Sequence, residues 1–361
     1  MTASPFPLVE IEGPPMERGL AYGRQAGERI ARGREVYATA FNAPDFEAKA
    51  ARYFESLRAF DAELATEIEG IARGAEQPVA LVVGLNARTE LTGWDAGPPA
   101  SDECTAALAM PERTRDGRLL HGQNWDWRPA CVDTSIVLRI RSGNGPDILT
   151  FCEAGQLARH GLNSAGLALT ANGLQTDDEH APRAVPSPFI RRQMLLCTRL
   201  ADAVGVILNA PRSASHNLLL SQTDEKGRAE AVNLETTPRE VFWDHPEDGL
   251  YAHANHFKIP AALARVSDAG LQRHPESLYR DRRVLEHLRS DGDNVTRETF
   301  ERAFADDFGA PHAVCRSPAA RSDGSVSATV ASLIMEPSEG RLWLAPGPYQ
   351  GAVYTGYGLA G

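Results

Sequence analysis

The segment 101–127 constrains the fold more than any other part of the chain. It contains two apolar runs, 104–110 and 119–126, joined by a short polar link with an Asp-Gly pair. This pattern is typical of a β-hairpin. In an antiparallel pair, the start of the first strand lies beside the end of the second. We therefore expect the Cys104 thiol and the Asp126 carboxylate to be close neighbours, which makes them a candidate active site.

Composition and charge exclude several classes of protein. Of the 361 residues, 42% are hydrophobic and 24% are charged, which is ordinary for a globular protein and not for a disordered or fibrous one. The net charge of −11 argues against nucleic-acid binding, which calls for a basic face. The sequence shows no signal-peptide pattern and no run of about 18 apolar residues. We therefore expect a soluble, cytoplasmic protein that binds neither nucleic acid nor a membrane.

The cysteine pattern singles out one thiol. Five cysteines occur at irregular spacings: Cys104, Cys131, Cys152, Cys197 and Cys315. The absence of a C-x-x-C pair argues against a zinc ribbon and against a dithiol redox motif. We interpret the last four as buried or structural residues. Cys104 differs because it follows two carboxylates, Asp102 and Glu103, and a Gly/Pro-rich loop at 93–101.

The order of predicted elements indicates an α+β protein. Residues 1–100 predict a strand at 8–12 and then four helices, the last over 79–91. The remainder predicts mostly strands, interrupted by two pairs of helices. The predicted strands are 104–110, 119–126, 135–142, 147–153, a turn and strand within 160–173, 216–221, 229–235, 238–243, 249–254, 326–336 and 340–346. The predicted helices are 187–200, 201–208, 276–290 and 296–306. This order favours packed sheets flanked by helices in a single domain, not a parallel βαβ sheet.

A nucleophilic role for Cys104 requires a base. A free thiol has a pKa of about 8.5 and is a weak nucleophile at neutral pH. The nearest histidine in sequence, His121, lies in the middle of a predicted strand. If the bond before Cys104 were cut, the new α-amino group, with a pKa of about 7.7–8.0, would supply the base. A nucleophile at the start of a strand, after a Gly/Pro-rich loop, fits that chemistry.

Several sequence blocks support this interpretation. Cys104-Thr105 is followed at a characteristic distance by Gly122-Gln-Asn-Trp-Asp126, and weaker blocks follow in order within 100–346. The weaker blocks are Glu153-Ala-Gly155, Gly161-Leu-Asn-Ser-Ala-Gly-Leu167, Asn172, His253-Ala-Asn-His256 and Ser327-Ala-Thr-Val330. Together they resemble the isopenicillin N acyltransferase-like proteins, a cysteine peptidase family among the Ntn hydrolases. The Gly-Gln-Asn-Trp-Asp block is the most specific of them.

The resemblance implies a four-layer αββα sandwich and self-cleavage between Glu103 and Cys104. Residues 1–103 would form a helical α chain and residues 104–361 the β chain, held together as an αβ heterodimer. Further homo-oligomerisation is left open. The Cys104 thiol would form an acyl-enzyme with a small N-acyl amide or thioester and pass the acyl group to water or to an amine. The expected activity is that of a hydrolase acting on linear amide C–N bonds, with no cofactor.

The resemblance also implies roles for individual residues. Asp126 would orient the Cys104 amino group. Asn255 would donate a hydrogen bond to the oxyanion, an effect worth roughly 10²–10³ in rate in other enzymes. Asn172 would assist the oxyanion site or hold the substrate, although Asn172-Gly173 is equally consistent with an ordinary turn. Trp125 and Trp127 are expected in the core and in the pocket wall, as candidate substrate contacts.

Two departures from the family pattern leave a second function open. Glu103 stands where family members commonly have glycine, and with Asp102 it should disfavour a thiolate or serve as a base in processing. Val326 stands where penicillin-forming members carry an arginine, which Arg316 or Arg321 would have to replace. These departures keep open the alternative of a non-catalytic Ntn-fold binding or structural protein.

Two other polar pairs have simpler interpretations. His253 and His256 could suggest a metal pair, but no third ligand is evident, so we expect no metal site. The basic pair Arg191-Arg192 is most often the solvated face of a helix.

Overall fold

The computed structural model describes residues 4–93, 103–177, 179, 184–320 and 324–360. Its α-helices are α1 (Pro15–Val36), α2 (Ala38–Phe41), α3 (Phe46–Phe60), α4 (Ala62–Gly74), α5 (Val79–Asn86), α6 (Arg88–Gly93), α7 (Ser187–Leu195), α8 (Leu200–Asn209), α9 (Pro260–Leu263), α10 (Ser277–Ser290) and α11 (Arg297–Phe304). Its strands are β1 (Leu8–Glu12), β2 (Glu103–Ala109), β3 (Leu120–Trp127), β4 (Ser135–Arg141), β5 (Ile148–Glu153), β6 (His160–Asn163), β7 (Leu167–Gly173), β8 (His216–Thr223), β9 (Ala229–Thr236), β10 (Val241–Asp244), β11 (Leu250–His253), β12 (Ala319–Ala320), β13 (Val326–Glu336), β14 (Arg341–Pro346) and β15 (Thr355–Gly358).

The strands of the described residues form two sheets. The first has the order β1-β4-β5-β6-β7-β8-β9-β10, and the second has the order β11-β2-β3-β13-β14-β15, with β12 paired to β13. Pairing is antiparallel except between β1 and β4. The predicted hairpin of β2 and β3 is confirmed, and it lies at the centre of the second sheet.

The two sheets pack face to face through alternate residues of β2. Ala106 and Leu108 contact Leu219 and Ala231 of the first sheet in a buried apolar cluster. A buried histidine adds a polar link, since the His121 ring bonds a hydroxyl on β8 and a hydroxyl on β7 at 2.9 and 2.8 Å. Burial lowers the pKa of His121 to about 3, so it is a neutral structural residue at physiological pH.

Helices cover the outer faces of both sheets. The other face of β2, with Ala107 and Ala109, packs against α10 and α11 through Val284, Leu288 and Phe300. The N-terminal helices, together with α7 and α8, pack against the outer face of the first sheet. The result is the αββα arrangement that the family resemblance implies.

A buried charge cluster joins the N-terminal helices to the rest of the chain. Glu67 of α4 is fully buried and pairs with Arg18 of α1 at 2.6 Å and with Arg192 of α7 at 3.0 Å. Arg191 is also buried. The interpretation of Arg191-Arg192 as a solvated face is therefore wrong, because Glu67, which is remote in sequence, supplies a buried partner.

Most predicted elements are present with shifted ends, and a few differ in kind. The single helix predicted over 79–91 is instead two helices, α5 and α6, that break at Ala87. The sequence did not predict α2, α9, β12 or β15. Among the described residues, no helix is both long enough and apolar enough to cross a membrane.

Candidate active site

The register of the hairpin places Cys104 and Asp126 on adjacent strands, with side chains on opposite faces of the sheet, so direct contact of the thiol with the carboxylate stays a prediction. Cys104 pairs with Trp125, and Glu103 pairs with Asp126, so Cys104 and Asp126 are diagonal neighbours. Both residues are fully buried. On the other side of β3, Asp126 pairs with Thr329 of β13, just before an irregularity in the register. The start of β2 is thus enclosed where three strands meet.

The Asp126 carboxyl is held by one hydroxyl and lies near one guanidinium. Thr329 Oγ1 donates a hydrogen bond of 2.6 Å to Oδ1, and Arg316 Nε lies 3.8 Å from Oδ2. Burial raises the pKa of Asp126 to about 6, while Arg316 and Arg280 limit the rise. At neutral pH the carboxyl is mostly ionised, and it takes up a proton in mild acid.

The main chain of Cys104 is held at both of its polar groups. Its backbone N–H donates to Asn255 Oδ1 at 2.8 Å, and its carbonyl oxygen accepts from Arg280 Nη1 at 2.8 Å. The same Nη1 donates to Thr105 Oγ1 at 2.9 Å, and Nη2 donates to Asn255 Oδ1 at 2.8 Å. Arg280, which is fully buried, therefore links Asn255 to the first two residues that would follow a cut before Cys104.

These contacts also determine the orientation of the Asn255 amide. Arginine and a backbone N–H can only donate, so both require the side-chain oxygen of Asn255. The amide nitrogen in turn donates to the Gly173 carbonyl at 2.8 Å. In the uncut chain Asn255 thus holds the Cys104 nitrogen, and the oxyanion role implied for its amide nitrogen stays a prediction.

The side chain of Glu103 lies on the helical side of the second sheet, with that of Thr105. It is fully buried, bonds Arg316 Nη1, and lies 2.9 Å from His274 Nδ1. Glu276 completes the group, since its carboxylate accepts from Arg316 Nη2 at 2.9 Å and lies 3.7 Å from His274 Nδ1. Below, these four residues (Glu103, His274, Glu276 and Arg316) are called the carboxylate pocket.

The charges of the carboxylate pocket stabilise one another. Burial alone would raise the pKa of Glu276, but hydrogen bonds from His274 and Arg316 lower it to about 2. Burial likewise opposes protonation of His274, yet bonds to Glu103 and Glu276 raise its pKa above the usual value. Three of these residues, Glu103, His274 and Glu276, also have the spacing of a metal site. The Arg316 guanidinium, however, bonds both carboxylates where a cation would have to lie.

Asn172 links the two sheets through its side chain. Its amide nitrogen donates to the carbonyl oxygens of His253 and Ala254 at 2.8 and 3.0 Å. Its oxygen accepts from Gln123 Nε2 at 2.7 Å. These bonds hold the segment that carries Asn255, so they give Asn172 a positioning role. Direct contact with an oxyanion or substrate stays a prediction.

The two tryptophans of β3 are packed in the interior. Trp125 is fully buried beneath the Arg159 guanidinium, which lies 4.2 Å from the ring centroid. Trp127 donates from Nε1 to the Tyr37 hydroxyl at 2.8 Å and so joins β3 to the N-terminal helices. Substrate contact by either ring stays a prediction.

The remaining candidates divide between the site and its surroundings. Arg316 is in the site, whereas Val326 is half exposed at the start of β13. Arg321 and Asp102 lie outside the described residues, as does most of the loop at 93–101.

His253 and His256 do not form a metal pair. His253 Nε2 lies 2.9 Å from Glu235 Oε1, and His256 Nδ1 lies 2.8 Å from Ser277 Oγ.

The other four cysteines lie in environments that disfavour a thiolate. Burial raises the pKa of Cys152 and of Cys315 to about 12. It also raises the pKa of Cys131 well above its usual value and raises that of Cys197. A thiol-based reaction at these four positions would therefore be unfavourable.

Arg280, His274 and Glu276 were missed by the sequence reasoning. A signal existed for Arg280, because it precedes Val284 and Leu288 at intervals of four on α10, on the face that packs against the second sheet. A charged residue in an apolar stripe needs a buried partner. No comparable local signal marks His274 or Glu276.

Comparison with known proteins identifies the family of the chain. The profile of the acyl-coenzyme A:6-aminopenicillanic acid acyl-transferase family matches residues 113–348. The 40 kDa form of acyl-coenzyme A:6-aminopenicillanic-acid-acyltransferase from Emericella nidulans is 30% identical over 318 residues, which cover 86% of this chain and 84% of that protein.

A solved structure supports the fold. A cysteine-to-alanine mutant of the conjugated bile acid hydrolase from Clostridium perfringens superposes with a TM-score of 0.51 at 13% identity, covering 71% of this chain and 94% of that one. This likeness confirms the predicted Ntn-hydrolase sandwich. The chain therefore belongs to the acyl-coenzyme A:6-aminopenicillanic acid acyl-transferase family of Ntn hydrolases.

Proposed function

We propose that the protein is a self-processing N-terminal-cysteine amidohydrolase or acyltransferase acting on small N-acyl compounds. The observation that carries this proposal is that both backbone polar groups of Cys104 are held by hydrogen bonds. Asn255 accepts a hydrogen bond from its nitrogen, and Arg280 donates one to its carbonyl oxygen. Cys104 supplies both the nitrogen of the bond to be cut and the attacking thiol, so these bonds fix the backbone that carries both. Rigid placement of the reacting atoms is a large part of enzymatic rate enhancement.

The first reaction is cleavage of the chain itself. The Cys104 sulfur attacks the Glu103 carbonyl carbon, the C–N bond breaks as the C–S bond forms, and the thiol proton passes to the departing nitrogen. Water then hydrolyses the thioester and releases a carboxylate on Glu103. The products are chains 1–103 and 104–361, the second beginning with a free amine.

The second reaction uses the amine that the first has made. With a pKa of about 7.7–8.0 in its free form, this group can take the thiol proton as Cys104 attacks a substrate carbonyl. The leaving amine of the substrate then takes up that proton, and an acyl-enzyme remains. Water or a second amine attacks the thioester and regenerates the thiol. Asp126, ionised above pH 6, would balance and orient the Cys104 ammonium group.

The ion pairs of Glu103 with Arg316 and His274 support self-cleavage after a glutamate, where family members commonly have glycine. An unpaired carboxylate beside the thiol would oppose thiolate formation. Here the carboxylate bonds Arg316 and His274, so its charge is compensated. The penalty expected from the sequence is therefore reduced by residues that are remote along the chain.

Buried contacts favour retention of the N-terminal chain after cleavage. Arg88 Nε lies 2.6 Å from Glu153 Oε2, and both residues are buried. Strand β1 also pairs with β4 within the first sheet. Both contacts join residues 1–103 to residues 104–361, which supports a heterodimer of the two cleaved chains.

Intact-mass spectrometry of the purified chain tests the proposal. The wild type should give two masses that correspond to 1–103 and 104–361, and Cys104→Ala should give one uncut chain. Cys315→Ala is a matched control, because it removes another buried thiol near Asp126 and should still cleave. A wild-type chain that stays whole while it turns over acyl substrates would refute the proposal. A whole chain without turnover would favour the non-catalytic alternative.

A further inference from the structure

The residue that self-cleavage releases occupies a site built for a carboxylate. Glu103 is fully buried, yet both oxygens of its carboxylate are close to a cation. His274 lies against Oε1 and Arg316 against Oε2. Burying a charge is costly unless it is paired, so two paired cations around one side chain indicate a specific site.

The two proposed reactions pass through the same chemical linkage. During processing, the Glu103 carbonyl becomes a thioester on the Cys104 sulfur. During turnover, the substrate acyl group becomes a thioester on that same sulfur. A group attached to the carbonyl in the same way can therefore reach the same surroundings in both cases. The side chain of Glu103 shows which surroundings these are.

We propose that the substrate acyl group carries a carboxylate that binds Arg316 and His274 in the place of Glu103. In Glu103, three carbon atoms separate the carbonyl carbon from the side-chain carboxylate carbon. The matching acyl groups are glutaryl and α-glutamyl. This inference rests on the proposed function, because it takes Cys104 as the acylated residue.

Once the end of the 1–103 chain moves out of the carboxylate pocket, His274 and Arg316 each lose one carboxylate contact. The next carboxylate to His274 Nδ1 is Glu276 at 3.7 Å, a longer contact than the 2.9 Å to Glu103. Arg316 Nη1 also loses its carboxylate and keeps only His312 Nδ1 at 3.2 Å, while Nη2 keeps Glu276 at 2.9 Å. One negative charge is thus removed from the carboxylate pocket while its two cations remain. An incoming carboxylate restores the original pairing.

The same geometry disfavours a neutral acyl group. An uncharged chain of equal length would leave His274 and Arg316 without the carboxylate that Glu103 supplies, and a shorter dicarboxylic chain would not reach them. Leaving a charged group unpaired costs more than leaving a neutral one unpaired. We expect kcat/KM for a glutaryl substrate to exceed that for a pentanoyl substrate at least about tenfold.

Three p-nitroanilides assayed with the cleaved wild-type protein test this preference. Glutaryl, pentanoyl and succinyl p-nitroanilide differ only in the acyl group, so release of nitroaniline compares them directly. We expect the glutaryl compound to be preferred and His274→Gln to lose that preference. Arg282→Gln removes a cation on α10 whose side chain is 76% exposed, and it should keep the wild-type ratio. Equal turnover of the glutaryl and pentanoyl compounds would overturn the inference and leave the proposed function intact.

If the cleaved protein turns over none of the three compounds, protection of Cys104 from alkylation tests the inference instead. Glutarate should then slow alkylation of Cys104 by iodoacetamide, and pentanoate should not. Equal protection by both acids, or by neither, would overturn the inference.

A second measurement examines the carboxylate pocket without any turnover. Glu103→Gly combined with Cys104→Ala removes the side chain from an uncut chain, and propionate has the size and charge of what is removed. Propionate should raise the melting temperature of this double variant and not that of Cys104→Ala alone, in which Glu103 fills the site. Propionamide is the neutral control. If the wild type neither cleaves nor turns over substrate, the proposed function fails. In that case, an equal response of the two variants to propionate would overturn the carboxylate pocket as well.

Discussion

Replacing Arg280 by lysine should slow self-cleavage through a loss of positioning. Arg280 uses Nη1 to bond Cys104 O and Thr105 Oγ1, and it uses Nη2 to bond Asn255 Oδ1. A lysine has one nitrogen on a flexible stem and cannot reproduce this two-sided contact. Arg280→Lys therefore loses the bond to β2 or the bond to Asn255.

The expected magnitude follows from the bonds lost. A hydrogen bond to a charged group contributes about 1.5–3 kcal/mol. If the lost bond holds Cys104 for attack, the rate of cleavage falls by about 10- to 100-fold. The free energy of unfolding should fall by a similar amount, because the residue is fully buried.

Cell-free synthesis followed by intact-mass sampling measures the cleavage rate directly. Arg192→Lys is the matched control, since Arg192 is equally buried but bonds Glu67 and the Leu157 carbonyl. It should lower stability and cleave at the wild-type rate. Cleavage of Arg280→Lys at the wild-type rate, or equal slowing of both variants, would refute a positioning role.

Three further predictions follow from other contacts. Turnover should fall below about pH 8 as the Cys104 amine takes up a proton, and fall again through about pH 6 as Asp126 does; Asp126→Asn should be slow at every pH and should lack the second fall. Asn172→Asp should lower the free energy of unfolding by about 2 kcal/mol or more in urea titrations, because a carboxylate oxygen would face two carbonyl oxygens. The cleaved wild-type chains should co-elute on gel filtration. The chains of Arg88→Ala should separate at a lower urea concentration, because the buried Glu153 carboxylate loses its ion pair with Arg88, at a cost of about 3–5 kcal/mol.

The hairpin could be predicted from sequence because its determinants are local. Alternating runs and an Asp-Gly link indicate two paired strands, and the register then brings Cys104 close to Asp126. No knowledge of the rest of the chain is needed for that step.

The surroundings of the hairpin could not be predicted in this way. Arg280 and His274 reach β2 only because α10 and the segment before it pack against the second sheet. That packing is tertiary and has no local signature. Glu103 illustrates the consequence. From the sequence, its carboxylate is expected to disfavour the thiolate, and only the structure shows the remote partners that compensate its charge. Arg192 is similar, because its burial depends on Glu67.

The most direct test of the central claim is to trap the acyl-enzyme and locate the acyl group. Purified wild-type protein is mixed with an acyl thioester donor and quenched in acid, and the intact and digested chains are then weighed. We predict that the 104–361 chain carries one acyl group and that the group is on Cys104. An acyl group on any of the other four cysteines, or acylation of a chain that still begins before Cys104, would contradict the account.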